Sequence, residues 1–102
     1  MEKIYIAGPM TGIELYNRPA FHQMAGELIS KGYAPKHTAD MPLGLDYEDY
    51  MEESFKRLKD CEAMILLDGW DKSAGVIREI YFAYKNGIRI ARNLEELEKM
   101  SV

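Results

Sequence analysis

Residues 63–67 read Ala63-Met64-Ile65-Leu66-Leu67, an unbroken apolar run between Glu62 and Asp68. A run of strand length without polar alternation suits a strand covered on both faces, as in a parallel sheet packed between helices. Upstream of it, Tyr47, Tyr50, Met51, Phe55 and Leu58 recur at helical spacing, and Asp46 stands where an N-cap belongs. Ser54 falls on that same face and is its polar exception. Downstream, Ser73 can cap a helix running to about Asn86, closed by Gly87. Its inward face is expected to carry Val76, Ile77, Ile80, Tyr81 and Tyr84. Ile88-Arg89-Ile90 reads as a short last strand, and Asn93 with Glu96 matches a capping box for a terminal helix to about Lys99.

The N-terminal part repeats the alternation. Ile4 to Ala7 is a short apolar strand that ends at Gly8-Pro9. The following loop runs irregularly to Tyr16, after which Asn17 is a candidate helix cap with Pro19 in the first turn. Phe21, Met24, Ala25, Leu28 and Ile29 share one helical face, and Gly32 ends the helix. Tyr33 to Pro35 is a weak second strand, and Lys36 to Leu45, with one proline and a glycine, reads as loop. The order β-α-β-α-β-α-β-α predicts an α/β domain with a mostly parallel sheet and helices on both faces. Such sheets bind ligands beyond the carboxyl ends of their strands. That rule selects Gly8 to Gly12, Lys36 to Asp40 and Asp68 to Glu79 before any motif is considered.

Composition bounds the function. The chain has 102 residues, enough for one domain spanning 1–102, and it is 47% apolar and 29% charged. Seventeen acids against thirteen bases leave a net charge of −4, which argues against a nucleic-acid polymer as partner. Cys61 is the only cysteine, so no disulfide framework and no cysteine-based metal site is available, and a reducing cytoplasm is the expected location. No apolar run approaches about 18 residues, so no membrane span is expected. The first residues enter a strand directly, so no signal peptide is expected either.

Within the selected loops, Gly8-Pro9-Met10-Thr11-Gly12 can bring backbone close to a ligand, with Thr11 as a hydrogen-bond donor. It is no P-loop, since the lysine and the spacing are missing, and it equally fits a tight strand-to-helix turn. Gly69-Trp70-Asp71-Lys72-Ser73-Ala74-Gly75 surrounds a helix N-terminus, a natural anion site. Trp70 can stack on a base or close over the core. Ser73 is a helix cap, with any ligand contact additional to that role. Glu79 lies on the shoulder of its helix within reach of the strand ends, or is a solvated surface glutamate. Tyr5 reads as core. His22 and His37 are distant in sequence without ligand spacing, so no metal site is expected. Glu48, Asp49, Glu52 and Glu53 read as a solvated helix face.

Two motifs together carry a family resemblance. Ile4-Tyr5-Ile6-Ala7-Gly8-Pro9-Met10-Thr11-Gly12 with Tyr16-Asn17-Arg18-Pro19-Ala20-Phe21, and Gly69-Trp70-Asp71-Lys72-Ser73-Ala74-Gly75-Val76-Ile77-Arg78-Glu79, resemble the nucleoside 2-deoxyribosyltransferase-like superfamily. The chain is most similar to its small, often phage-encoded DUF4406 branch. The serine, glycine and glutamate spacing also resembles the deoxynucleoside 5′-monophosphate N-hydrolases. The resemblance covers the chain to about Ile90.

It implies a doubly wound, flavodoxin-like (Rossmann-like) sheet of about four strands and usually a homodimer. It implies a small-molecule nucleoside or nucleotide as partner, with no cofactor. The implied reaction is cleavage or transfer at the N-glycosidic bond of 2′-deoxynucleosides or their 5′-monophosphates. Glu79 matches the nucleophile of a glycosyl-enzyme intermediate and Tyr5 its orienter. Ser73 and the backbone after the first strand match the hydrolases' phosphate-holding groups, and Gly75 belongs to the same motif.

The chain departs from the family in three places. Ser54 stands where relatives carry a site aspartate, Glu62 replaces a second aspartate, and Met10-Thr11 replaces an arginine that some hydrolases carry. Loss of such an acid–base group typically costs about 10²–10⁴-fold. The alternative expectation is therefore a nucleotide-binding module of the same fold with weakened or absent catalysis.

Overall fold

Strands β1 (Lys3–Ala7), β2 (Ala34–Lys36), β3 (Ala63–Leu66) and β4 (Arg89–Ala91) alternate with helices α1 (Arg18–Ser30), α2 (Tyr47–Lys59), α3 (Ala74–Lys85) and α4 (Leu94–Met100). The structure is a computed structural model and describes residues 1–42 and 44–100. The sheet order is β2-β1-β3-β4, and every neighbouring pair is parallel. The chain passes from β1 to β2 on one side, then crosses to β3 on the other. The carboxyl edge between β1 and β3 is therefore the topological switch point of a flavodoxin-like sheet.

Strand alternation divides the core into two layers. Ile4, Ile6, Ala63 and Ile65 pack with Phe21 and Leu28 of α1 and Leu97 of α4. Tyr5, Ala7, Met64 and Leu66 pack on the opposite face with Leu58 of α2 and with Val76 and Ala83 of α3. Both faces are covered, which is why the 63–67 run shows no polar alternation. Burying a side chain such as Leu28 or Leu58 contributes about 1.5–3 kcal/mol.

Three local expectations are corrected. Asn17 does not cap α1 with its side chain; its backbone is left-handed, φ 61°, and its amide Nδ2 donates to the Pro9 carbonyl at 2.9 Å. It thus anchors the first loop instead. Ile29 is exposed. The inward face assigned to α3 is also wrong: Ile77, Tyr81 and Tyr84 are 46%, 62% and 80% exposed, while Val76, Glu79 and Ala83 are buried. Apolar residues nearly encircle α3, so periodicity cannot choose its face. The small Ala83 lets the helix approach the sheet closely. The Asp46 and Ser73 caps form as expected, accepting from the amides of Glu48 and Val76. Asn93 accepts from the amide of Glu96, whose carboxylate reaches the Arg92 amide. Among the described residues, no helix is long and apolar enough to cross a membrane.

Candidate active site

The three loops selected by the strand-edge rule converge on one cleft of about 490 Å³. Gly8, Pro9, Met10 and Thr11 line it from the β1 loop, Thr38 from the β2 loop, and Lys72 to Val76 from the start of α3. Gly8 is required by close packing, because a Cβ there would lie 2.8 Å from Leu67 Cβ. Gly12 does not line the cleft and instead makes a turn with φ +81°.

Glu79 forms the floor. It comes from the second turn of α3, is 5% exposed, and still borders the cleft. Its Oε2 accepts from two hydroxyls, Tyr5 of β1 and Ser54 of α2, the latter at 2.5 Å. The two hydroxyl oxygens lie 3.1 Å apart, closing a triangle beneath the carboxylate. Both donors are fully buried. Oε1 takes no hydrogen bond from any described residue and is the oxygen left to the cleft.

Burial pushes the Glu79 carboxyl above the ordinary glutamate range, against the opposing pull of the Ser54 and Tyr5 hydrogen bonds. Burial also drives the Tyr5 phenol well up, reinforced by the charge of Glu79. Tyr5 therefore remains a neutral donor throughout the neutral range. Every buried side-chain nitrogen and oxygen among the described residues has a hydrogen-bond partner, so the buried hydroxyls of the triangle are satisfied.

At the α3 N-terminus, Ser73 Oγ accepts from the Val76 amide at 3.2 Å. Ala74 and Gly75 line the cleft beside Lys72, and as the first residues of α3 their amides have no intrahelical acceptor. Ser73→Ala should cost about 1 kcal/mol through the lost cap. In a domain of this size that lowers the thermal midpoint by about 4–8 °C, readable by circular dichroism.

The remaining candidates fall elsewhere. Trp70 is half-buried against the α2–α3 face of the core and does not line the cleft. Ser54 lies behind Glu79 and off the wall. His22 and His37, though distant in sequence, approach with ring centroids 6.0 Å apart. His37 Nδ1 accepts from the Ala39 amide. No group of three or more metal-ligating side chains occurs among the described residues. Of the acidic run, Glu48 pairs with Arg78 at 3.0 Å and Glu53 with Arg57 at 3.0 Å.

The strand-edge rule selected the segments that hold Thr38 and Lys72 without singling out either residue, and sequence reasoning missed Tyr50 as a cleft residue. Tyr50 carried a signal, since it precedes Ser54 by one turn on the same face of α2.

A family model described as "Domain of unknown function (DUF4406)" matches residues 2–92. No curated protein matches the chain. Among solved structures, a 2-desoxiribosyltransferase from Leishmania mexicana aligns with a TM-score of 0.71 at 17% identity. The match covers 88% of this chain and 62% of that one, so the chain spans less than two thirds of the relative's length. At that identity the likeness establishes a common fold.

Proposed function

Because the chain belongs to the DUF4406 family and shares its fold with a 2-desoxiribosyltransferase, we propose that it cleaves or transfers at the N-glycosidic bond of 2′-deoxynucleosides or their 5′-monophosphates. One observation carries this reading: a lone buried carboxylate at the switch point, with one oxygen clamped by two hydroxyls and the other free. Glu79 Oε1 attacks C1′, the C1′–N electron pair leaves with the base, and a glycosyl ester forms. Water or a second base then takes the sugar and releases the carboxylate. Tyr5 and Ser54 keep Oε1 aimed, so the attack geometry is set before substrate binds. Ser54 thus orients the nucleophile where relatives hold a second carboxylate.

A cleft of about 490 Å³ has room for a nucleoside or nucleotide. The Ala74 and Gly75 amides, with Lys72, supply donors for a 5′-phosphate. The exposed face of α3 supports assembly. Ile77, Tyr81 and Tyr84 form an exposed apolar strip along α3 that a second protomer would cover. The double variant Ile77→Asp/Tyr81→Glu is expected to sediment as a monomer where the wild type sediments as a dimer. A monomeric wild type at micromolar concentration removes this assignment.

The deciding experiment incubates the protein with each deoxynucleoside and monophosphate, with and without an acceptor base. Free base is followed chromatographically. Release or exchange is expected. Calorimetric binding without turnover of any of them would replace this reading with a binding module, the alternative that Ser54 in place of aspartate favours.

A further inference from the structure

Resting on that reading, we propose that Tyr50 is the acid that protonates the departing base. Base departure from an ordinary deoxynucleoside needs a proton, and Ser54 cannot deliver one. It is fully buried and its hydroxyl already donates to Glu79. Glu79 is the only carboxylate lining the cleft among the described residues, and it is engaged as the nucleophile. Lys72 stands at the start of α3, among the phosphate donors. Tyr16 and Tyr47 also border the cleft, but both are exposed, at 43% and 48%. Tyr50 differs: it is half-buried, and its hydroxyl is fixed from two sides.

Those two sides define the chemistry. Tyr50 Oη donates to Met10 Sδ at 3.1 Å and lies 2.5 Å from Thr38 Oγ1. A phenol has one proton, so with that proton on Met10 the Thr38 hydroxyl donates to Tyr50. A thioether is a weak acceptor and yields the proton readily to a basic ring nitrogen. The bond from Thr38 then stabilises the phenolate left behind. The same contacts tie Tyr50 to the β1 loop through Met10 and to the β2 loop through Thr38, and Tyr50 lines the same cleft as Glu79. Burial keeps the Tyr50 phenol raised, and the Thr38 bond partly offsets that rise. Tyr50 is therefore protonated when the reaction begins.

The step balances. Glu79 Oε1 forms the bond to C1′, the C1′–N pair passes to the base, and the Tyr50 proton passes to a base nitrogen. In the second half a water attacks C1′ and gives its proton to the tyrosinate, and Glu79 leaves as carboxylate. Tyr50 thus ends as it began, with no further co-reactant.

The test compares leaving groups. One substrate is the natural deoxynucleoside or monophosphate cleaved fastest. The others are 7-methyl-2′-deoxyguanosine and 2′-deoxyribosyl nicotinamide, whose bases are already cationic and depart without a proton. Tyr50→Phe should lower kcat/KM on the natural substrate by about 10²–10³-fold and leave the cationic substrates within a few-fold of wild type. Thr38→Val keeps the phenol but removes its stabilising bond, and should show the same selectivity with a smaller loss. It carries the test alone if the Phe variant does not fold. Equal losses on both substrate classes, or no loss on either, overturn the proposal. So does a wild type that cleaves only the cationic substrates, although Glu79 then keeps its role. A wild type that cleaves neither class removes the glycosyl-transfer reading itself and Tyr50 with it.

Discussion

Glu79→Gln should abolish turnover, by about 10⁴-fold or more, while raising the melting temperature at neutral pH. The loss follows from Oε1: a carboxamide oxygen carries no charge to attack C1′ or to stabilise an oxocarbenium-like transition state. The gain follows from burial. Glu79 is buried and its carboxyl is held above the ordinary range, so the folded state binds that proton more tightly than the unfolded chain. Below the unfolded value both states are protonated, and glutamine imitates the neutral acid. As pH rises through the folded value, the wild type loses stability because it must carry a buried charge, and the variant does not. The variant's advantage therefore appears with rising pH and levels off above the folded value. About 1–2 kcal/mol is the usual scale for relieving an active-site group, and each kcal/mol moves the midpoint by about 4–8 °C. Thermal melts at pH 4 and pH 8, beside a base-release assay, check both halves. Undiminished base release by the variant would falsify the nucleophile assignment. A variant no more stable than wild type at pH 8 would mean that Tyr5 and Ser54 fully offset the burial of the charge. The same shift predicts a wild-type acid limb of kcat/KM lying above the ordinary glutamate range.

The sheet and its ligand edge were legible because each depended on a local pattern that only one arrangement satisfies. An apolar 63–67 run can be buried on both faces only inside a layered sheet, and the caps at Asp46 and Ser73 are set by hydrogen bonds within one turn. Ser54 was legible for a similar reason, since a hydroxyl on an otherwise apolar helix face must find a buried partner. What escaped was decided by geometry between elements. α3 offers two apolar stripes, and the sheet accepts the one carrying Val76, Glu79 and Ala83, because the Glu79 carboxylate finds two donors there. No periodicity count anticipates a carboxylate on the buried stripe. Trp70 had equal claims on ligand and core until the 3₁₀ turn Trp70–Lys72 laid it half-buried against the α2–α3 face. Tyr50 looked like any aromatic of an apolar face, and its distinction arises only where the β1 and β2 loops bring Met10 and Thr38 to its hydroxyl. The proximity of His22 to His37 likewise depends on how the β2 loop returns over α1.

Ser54→Asp, which installs the residue type that the family resemblance implies at this position, should weaken this protein rather than activate it. Ser54 is fully buried and its Oγ lies 2.5 Å from Glu79 Oε2. Aspartate replaces a donor with an acceptor and sets a second carboxylate against the first. Two carboxylates at that separation cannot both ionise in a buried site, so the pair shares a proton. The folded state then takes up that proton at higher pH than the unfolded chain does. By the same linkage the variant is closest to wild type in acid and falls further below it as pH rises. An uncompensated buried charge costs about 3–5 kcal/mol, so near pH 8 a loss on that scale is expected in urea titrations, shrinking toward pH 5. Turnover should fall too, because the shared proton neutralises the nucleophile and the acid limb moves to higher pH. Ser54→Ala separates charge from hydrogen bonding: it removes one donor, costs about 1 kcal/mol, and should leave a stability profile that depends little on added repulsion. If Ser54→Asp instead accelerated base release at neutral pH without loss of stability, position 54 would be an acid site emptied in this chain. The proton donor would then belong on α2 beside Glu79, and Tyr50 would be left with the task of holding the base.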